Sequence, residues 1–152
     1  MEHLPQDFKE FLTLLNKHEV EYLLVGGYAV AIHGYPRYTG DIDFWINISE
    51  VNATKIVAVL KEFGFDLPEL SSDMFLDPER MTRMGREPIK IKILNSISGL
   101  TFNEGQNGAL NIVVDGIPIP VIGLKELRKN KKASARAKDL ADLENLPLPP
   151  PE

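Results

Sequence analysis

From residue 5 to 18 apolar positions recur at helical spacing, with Phe8, Phe11, Leu12 and Leu15 on one face and Pro5 suited to a first turn. Tyr22 to Val25 is a short apolar run that stops at Gly26-Gly27, the pattern of a buried strand. Tyr28 to His33 then predicts a short helix closed by Gly34, and residues 35–40 a loop. Asp41 to Ile46 predicts a strand. Ser49 is placed to cap a helix with Val51, Ile56, Val59, Leu60 and Phe63 as its stripe and Gly64 as its stop. Residues 65–77 predict an irregular stretch with one short helix or strand, and Met81 to Met84 a strand. Ile89 to Leu94 alternates strictly, with Ile89, Ile91 and Ile93 on one side and Lys90 and Lys92 on the other. Leu110 to Val114 and Ile117 to Val121 flank Asp115-Gly116, the turn pair of a hairpin. Leu124 to about Leu146 reads as helical, with a break near Ser134.

These elements predict a mixed α/β (α+β) domain over residues 1–146, a central β-sheet flanked by helices. Four of the six residues from 147 to 152 are proline, which predicts an extended or disordered tail. A chain of 152 residues suits one domain, and 43% hydrophobic with 26% charged residues is an ordinary globular balance. A net charge of −5 gives no global pull toward nucleic acid or an anionic membrane. Absence of cysteine excludes disulfides and thiolate metal ligands. The opening run MEHLPQDFKEF does not read as a signal peptide, and no apolar stretch reaches the roughly 18 residues of a membrane span. The expectation is a cytoplasmic protein with no membrane partner.

Candidate chemistry concentrates between Leu23 and Ile46. Two glycines after a buried strand let a backbone approach a ligand closely, and helix amides beyond them favour phosphate. Asp41 and Asp43 are two apart on a strand and project to one side, with Ile42 and Phe44 on the other. Adjacent carboxylates repel unless a counter-charge is present, and a divalent cation with oxygen ligands supplies one. Each half alone is common: a Gly-Gly is usually a turn or cap, an Asp-x-Asp usually a solvated strand edge. Their order and spacing carry the signal. Trp45 falls on the same side as the aspartates and reads equally as a site flank or as core. Tyr38 is a candidate for stacking on a base, whereas Tyr28, in an apolar helix, reads as core. His33 reads as structural, and His3 and His18 as incidental. Lys131, Lys132, Arg136 and Lys138 form a basic run, with Asp139 and Asp142 placed to pair with the lysines or cap the bend.

Gly26-Gly27 followed by Asp41-Ile42-Asp43 resembles the signature of the DNA-polymerase-β-like nucleotidyltransferase superfamily. The run Arg37-Tyr38-Thr39-Gly40-Asp41-Ile42-Asp43, the later Ile97-Ser98-Gly99 and the segment from Lys132 to Leu143 are similar to small bacterial members related to minimal nucleotidyltransferases and AbiEii-like toxins. The resemblance implies a nucleotidyltransferase fold and transfer of a nucleoside monophosphate from an NTP to an acceptor hydroxyl on a protein, a tRNA or a small molecule. It implies Asp41 and Asp43 as catalytic ligands of Mg²⁺ or Mn²⁺. It also implies nucleotide contacts from Gly26, Gly27, Arg37, Thr39 and Lys132, and a toxin–antitoxin partner. In the family a third carboxylate, which helps activate the acceptor, precedes Ile-Ser-Gly; the matching position here is Lys92. A lysine there competes with metal, and Asp115 is committed to its turn. Two main readings therefore stay open, an active transferase and a catalytically degenerate binding module that keeps the nucleotide pocket or only the scaffold; a plain structural domain with a chance aspartate pair is a weaker third.

Overall fold

The computed structural model describes residues 4–86 and 89–151, apart from the side chains of Arg86 and Ile89. The readings of His3 and of the Ile89 side chain lie outside the described residues. In chain order the elements are α1 (Gln6–Lys17), β1 (Tyr22–Val25), α2 (Gly26–Ile32), β2 (Asp41–Ile46), α3 (Glu50–Phe63), β3 (Met81–Arg86), β4 (Ile89–Leu94), α4 (Phe102–Asn107), β5 (Leu110–Val114), β6 (Ile117–Val121), α5 (Leu124–Ser134) and α6 (Ala137–Asn145). One 3₁₀ turn, Ser72–Phe75, interrupts the irregular stretch before β3.

The strands form one six-stranded mixed sheet in the order β3-β4-β2-β1-β6-β5. β2 runs antiparallel to β1 and parallel to β4, which sets Val25 beside Asp43 and Asp43 beside Lys92. The 110–121 hairpin turns at Asp115 (φ 51°) and Gly116 (φ 79°), the two positive angles of a type I′ turn, and joins the sheet through β6 beside β1.

Alternation along β2 gives the sheet two faces. Ile42, Phe44 and Ile46 are buried. Phe44 packs against Phe11 of α1 at 5.4 Å between ring centroids, and Phe11 meets Phe63 of α3 at 5.2 Å. Helices α1 and α3 thus close this face over a large aromatic core. Ser49 caps α3 by accepting from the Asn52 amide, and Gly64 ends it at φ 110°. Val51, expected in the apolar stripe of α3, is exposed instead, because helical spacing points it away from the face formed by Asn52, Ala53, Ile56, Val59 and Leu60.

On the other face Trp45 is buried under α4. Its ring meets Phe102 edge-on at 5.1 Å, and a β-carbon on Gly105 would lie 2.5 Å from the indole. Thr101 and Glu104 cap α4 reciprocally. Of the two expectations for Trp45, the core role holds. The Asp41 and Asp43 end of this face stays open. Helices α5 and α6 border it, separated at Ala135 (φ 52°) as the break near Ser134 predicts. Residues 147–151 form neither helix nor strand. Among the described residues no helix is long and apolar enough to cross a membrane.

Candidate functional site

The open end of the sheet is a cleft of about 710 Å³ lined by Gly26, Gly27, the 37–41 loop, Asp43, Lys92, the 96–98 loop and parts of α5 and α6. Its geometry starts from the two glycines. Gly26 has φ 69°, and a β-carbon there would overlap the carboxylate of Asp43. A β-carbon on Gly27 would lie 2.6 Å from the Thr39 hydroxyl oxygen. The glycines therefore make room first for the chain's own Asp43 and Thr39, which locks the two halves of the motif together. Helix α2 has only seven residues, so its dipole contributes little to anion binding.

Asp41 and Asp43 share one side of β2 and both line the cleft. Lys92, opposite Asp43 on β4, brings Nζ to 3.5 Å from Asp43 Oδ2; the two side chains are 15% and 13% exposed. Asp43 Oδ1 is buried without a hydrogen-bond partner. Burial raises the pKa of Asp43 above the ordinary carboxylate value, Lys92 partly offsets that, and the charge of Asp41 adds to it.

Five cationic side chains reach this cleft, facing two carboxylates. Three of them are held by acids behind the wall. Arg37 donates from Nε and Nη2 to the two carboxylate oxygens of Asp142 at 2.8 and 2.9 Å. Lys131, buried on α5, lies 3.2 Å from Asp139 and 3.1 Å from Asp142. Arg136 pairs with Asp139, which also accepts from Ser134 Oγ at 2.6 Å and so fixes the α5–α6 bend. Lys138 makes no ion pair among the described residues. Partial burial and then the like charges of Lys131, Arg136, Arg37 and Lys92 lower its pKa. A cation in that setting is stabilised by an incoming anion.

No family model matches the sequence, and no curated protein matches it significantly. Solved structures do resemble the fold. A Thermotoga maritima protein assigned as a nucleotidyltransferase superposes with a TM-score of 0.61 at 18% identity, over 90% of this chain and 88% of that one. The lincosamide antibiotic adenylyltransferase LnuA, with lincomycin bound, gives 0.53 at 17% identity over 95% of this chain and 97% of its own. The enzyme ANT(2")-Ia, in complex with adenylyl-2"-tobramycin, gives 0.51 at 11% identity over 90% and 83%. The chain has the nucleotidyltransferase fold.

Within that fold the sequence-predicted residues separate into three groups. Gly26, Gly27, Thr39, Asp41, Asp43 and Lys92 meet in the cleft. Arg37 lines it too, but its guanidinium is engaged by Asp142 and, through Nη1, by the Tyr38 carbonyl. Lys132 is exposed and does not line the cleft; Lys131, one residue earlier, does. The signal for this was present, because Leu124, Leu127 and Lys131 share one helix face. Lys138, which the sequence offered only as one member of a basic run, is the α6 cation at the cleft wall. Tyr38, 85% exposed, stands at the lip. Tyr28 packs edge-on against Phe8 at 5.7 Å, and His33 Nε2 bonds to the Ile122 carbonyl at 2.7 Å, so both are structural.

The donor set of the nucleotidyltransferase fold can be tested against a divalent cation. Two carboxylates line the cleft, one oxygen is buried and unpartnered, and no group of three or more acidic or histidine side chains that could hold a metal ion occurs among the described residues. Two carboxylates fit Mg²⁺ or Mn²⁺ when phosphate oxygens and water complete the shell. Lys92 is the element of the site that opposes such an ion.

Proposed function

We propose that this protein moves a nucleoside monophosphate from an NTP to an acceptor hydroxyl. The observation that carries the reading is the placement of Asp41 and Asp43 on one side of β2, opening into a cleft whose far wall is cationic. Asp41 and Asp43 would hold a divalent cation, whose charge would neutralise that developing on the phosphates. Lys138 and Lys92 attract the polyphosphate. Arg37, anchored by Asp142, keeps the 37–41 loop in register and so orients Thr39 and Asp41. The acceptor oxygen forms a bond to the α-phosphorus as the bond from that phosphorus to the β-phosphate's bridging oxygen breaks. Pyrophosphate leaves, and the acceptor proton passes to solvent at the open mouth.

The acceptor is a small molecule, a protein or an RNA. Two similar structures carry antibiotic ligands, lincomycin in one and an adenylylated tobramycin in the other, which supports the small-molecule class. A protein partner of toxin–antitoxin type rests on the family resemblance of the motifs alone.

The Lys92–Asp43 pair favours a second reading, a binding module that retains the nucleotide cleft without turnover. Pyrophosphate release separates the two. It is measured with each of the four NTPs, Mg²⁺ and a cell extract as acceptor source, for the native protein and Asp41→Asn. Release that the variant abolishes supports the transferase. Nucleotide binding without release supports the binding module, and absence of both refutes the nucleotide reading.

A further inference from the structure

Asp43 carries two differently committed oxygens. Oδ2 faces Lys92 Nζ at 3.5 Å, and Oδ1 is buried with no partner. Lys92 is not a surface cation that happens to swing past. It lies directly opposite Asp43 in a parallel strand pair, with Ile91 and Ile93 on either side buried in the core. Its side chain is 15% exposed, so strand register and packing both hold the ammonium at the carboxylate. Of the five cations at the cleft, Lys92 is the one paired with an aspartate of β2, and no third acid or histidine that could hold a metal is grouped with the two carboxylates among the described residues.

We infer that Lys92 is a built-in cation that takes the place of a metal ion, so that the cleft accepts a single divalent ion and accepts it only together with the nucleotide. Without nucleotide, Lys92 already balances one of the two carboxylates, and a divalent ion placed beside them meets a fixed like charge. When a polyphosphate enters, its negative charge offsets Lys92 and Lys138 together. The free oxygen of Asp43, the Asp41 carboxylate and the phosphate oxygens then form the set for one ion. A second ion finds no unused carboxylate. Only the nucleotide-bound half of this inference rests on the transferase or binding-module reading above; the metal-alone half concerns Lys92 and the aspartates themselves.

The test is Mn²⁺ binding followed by electron paramagnetic resonance, which counts free and bound ion without any turnover. Mn²⁺ alone is titrated into the native protein, Lys92→Met and Lys92→Gln, with circular dichroism confirming that each variant is folded. The native protein is expected to bind Mn²⁺ weakly, and removal of the ammonium to tighten it by at least about tenfold, in whichever variant folds. Unchanged Mn²⁺ affinity in a folded variant overturns the inference. The titration is repeated on the native protein with non-hydrolysable analogues of the four NTPs. One Mn²⁺ per bound analogue is expected, and two overturn it. If no analogue binds, the nucleotide reading fails, while the metal-alone titration still decides the role of Lys92.

Discussion

Arg37 and Asp142 stand 105 positions apart in the chain and are joined by two parallel hydrogen bonds of 2.8 and 2.9 Å. The pair ties the loop that delivers Asp41 to the helix that presents Lys138. Asp142 also holds buried Lys131, and Lys131 reaches Asp139 in turn. Removing one member leaves charge buried without a partner, which is far costlier than losing an exposed pair. Asp142→Asn is expected to destabilise the protein by about 3 kcal/mol, measured by urea unfolding at pH 7. A loss no larger than that of an ordinary surface substitution would show that the network contributes nothing to the fold.

The same network fixes the sign of the acid response. Burial opposes ionisation of Asp139 and Asp142, but hydrogen bonds outweigh it. Those bonds come from Arg136, Ser134 and Lys131 to Asp139, and from Arg37 and Lys131 to Asp142. Both groups therefore titrate below the ordinary carboxylate value. The stability they lend is fully present above the unfolded-state pKa of about 4 and is lost as pH falls through the depressed native values. The urea midpoint is expected to fall steeply below about pH 4, and Asp139→Asn to flatten that slope. A slope of equal steepness in the variant would contradict the assignment.

Asp43 behaves in the opposite sense. Its native pKa is raised by burial, so ionising it costs stability as pH rises through that value, and the contribution is fully present only below the unfolded value. Asp41 adds to the shift and Lys92 reduces it. Carbon-13 NMR of the side-chain carboxyl is expected to show the Asp43 pKa moving down in Asp41→Asn and up in Lys92→Met. Asp41→Asn is also expected to unfold no more easily than the native protein at pH 7, since it relieves repulsion. Movement of the Asp43 pKa in the reverse directions would mean that the carboxylate faces neither neighbour.

Lys132 and Lys138 give opposite expectations for triphosphate binding. Both are exposed, but Lys138 lines the cleft with four like charges acting on it, whereas Lys132 lies outside the lining. Lys138→Met is expected to weaken inorganic triphosphate binding about tenfold, and Lys132→Met to leave it within about twofold, both by calorimetric titration. The reverse ranking would restore the residue that the sequence motif alone suggests.

Local chemistry made most of the fold legible. The Asp115-Gly116 turn, the Ser49 cap, the Gly64 stop and the alternation of β2 each depend on residues within a few positions of one another. Helix α4 was not legible as a stripe, because Phe102 to Asn107 holds one large apolar residue and a glycine, although Thr101 and Glu104 spell a capping box. Alternation put Trp45 on the side of Asp41 and Asp43 but could not show that α4 covers only that end of the strand. In the site, Asp41, Asp43 and Lys92 followed from strand periodicity and the family resemblance. The pairing of Asp139 and Asp142 with a lysine of the basic run was legible from their helical spacing; the partner of Arg37 was not, since Asp142 lies on a helix more than a hundred residues away and nothing local distinguishes a held cation from a free one.

The most direct measurement of the nucleotide-site claim is calorimetric titration of each of the four NTPs, with and without Mg²⁺, into the native protein and the Asp41→Asn, Asp43→Asn double variant. At least one NTP is expected to bind the native protein more tightly with Mg²⁺ than without it, and the double variant is expected to lose that metal-dependent gain. Equal Mg²⁺-dependent binding by the native protein and the double variant would contradict the account.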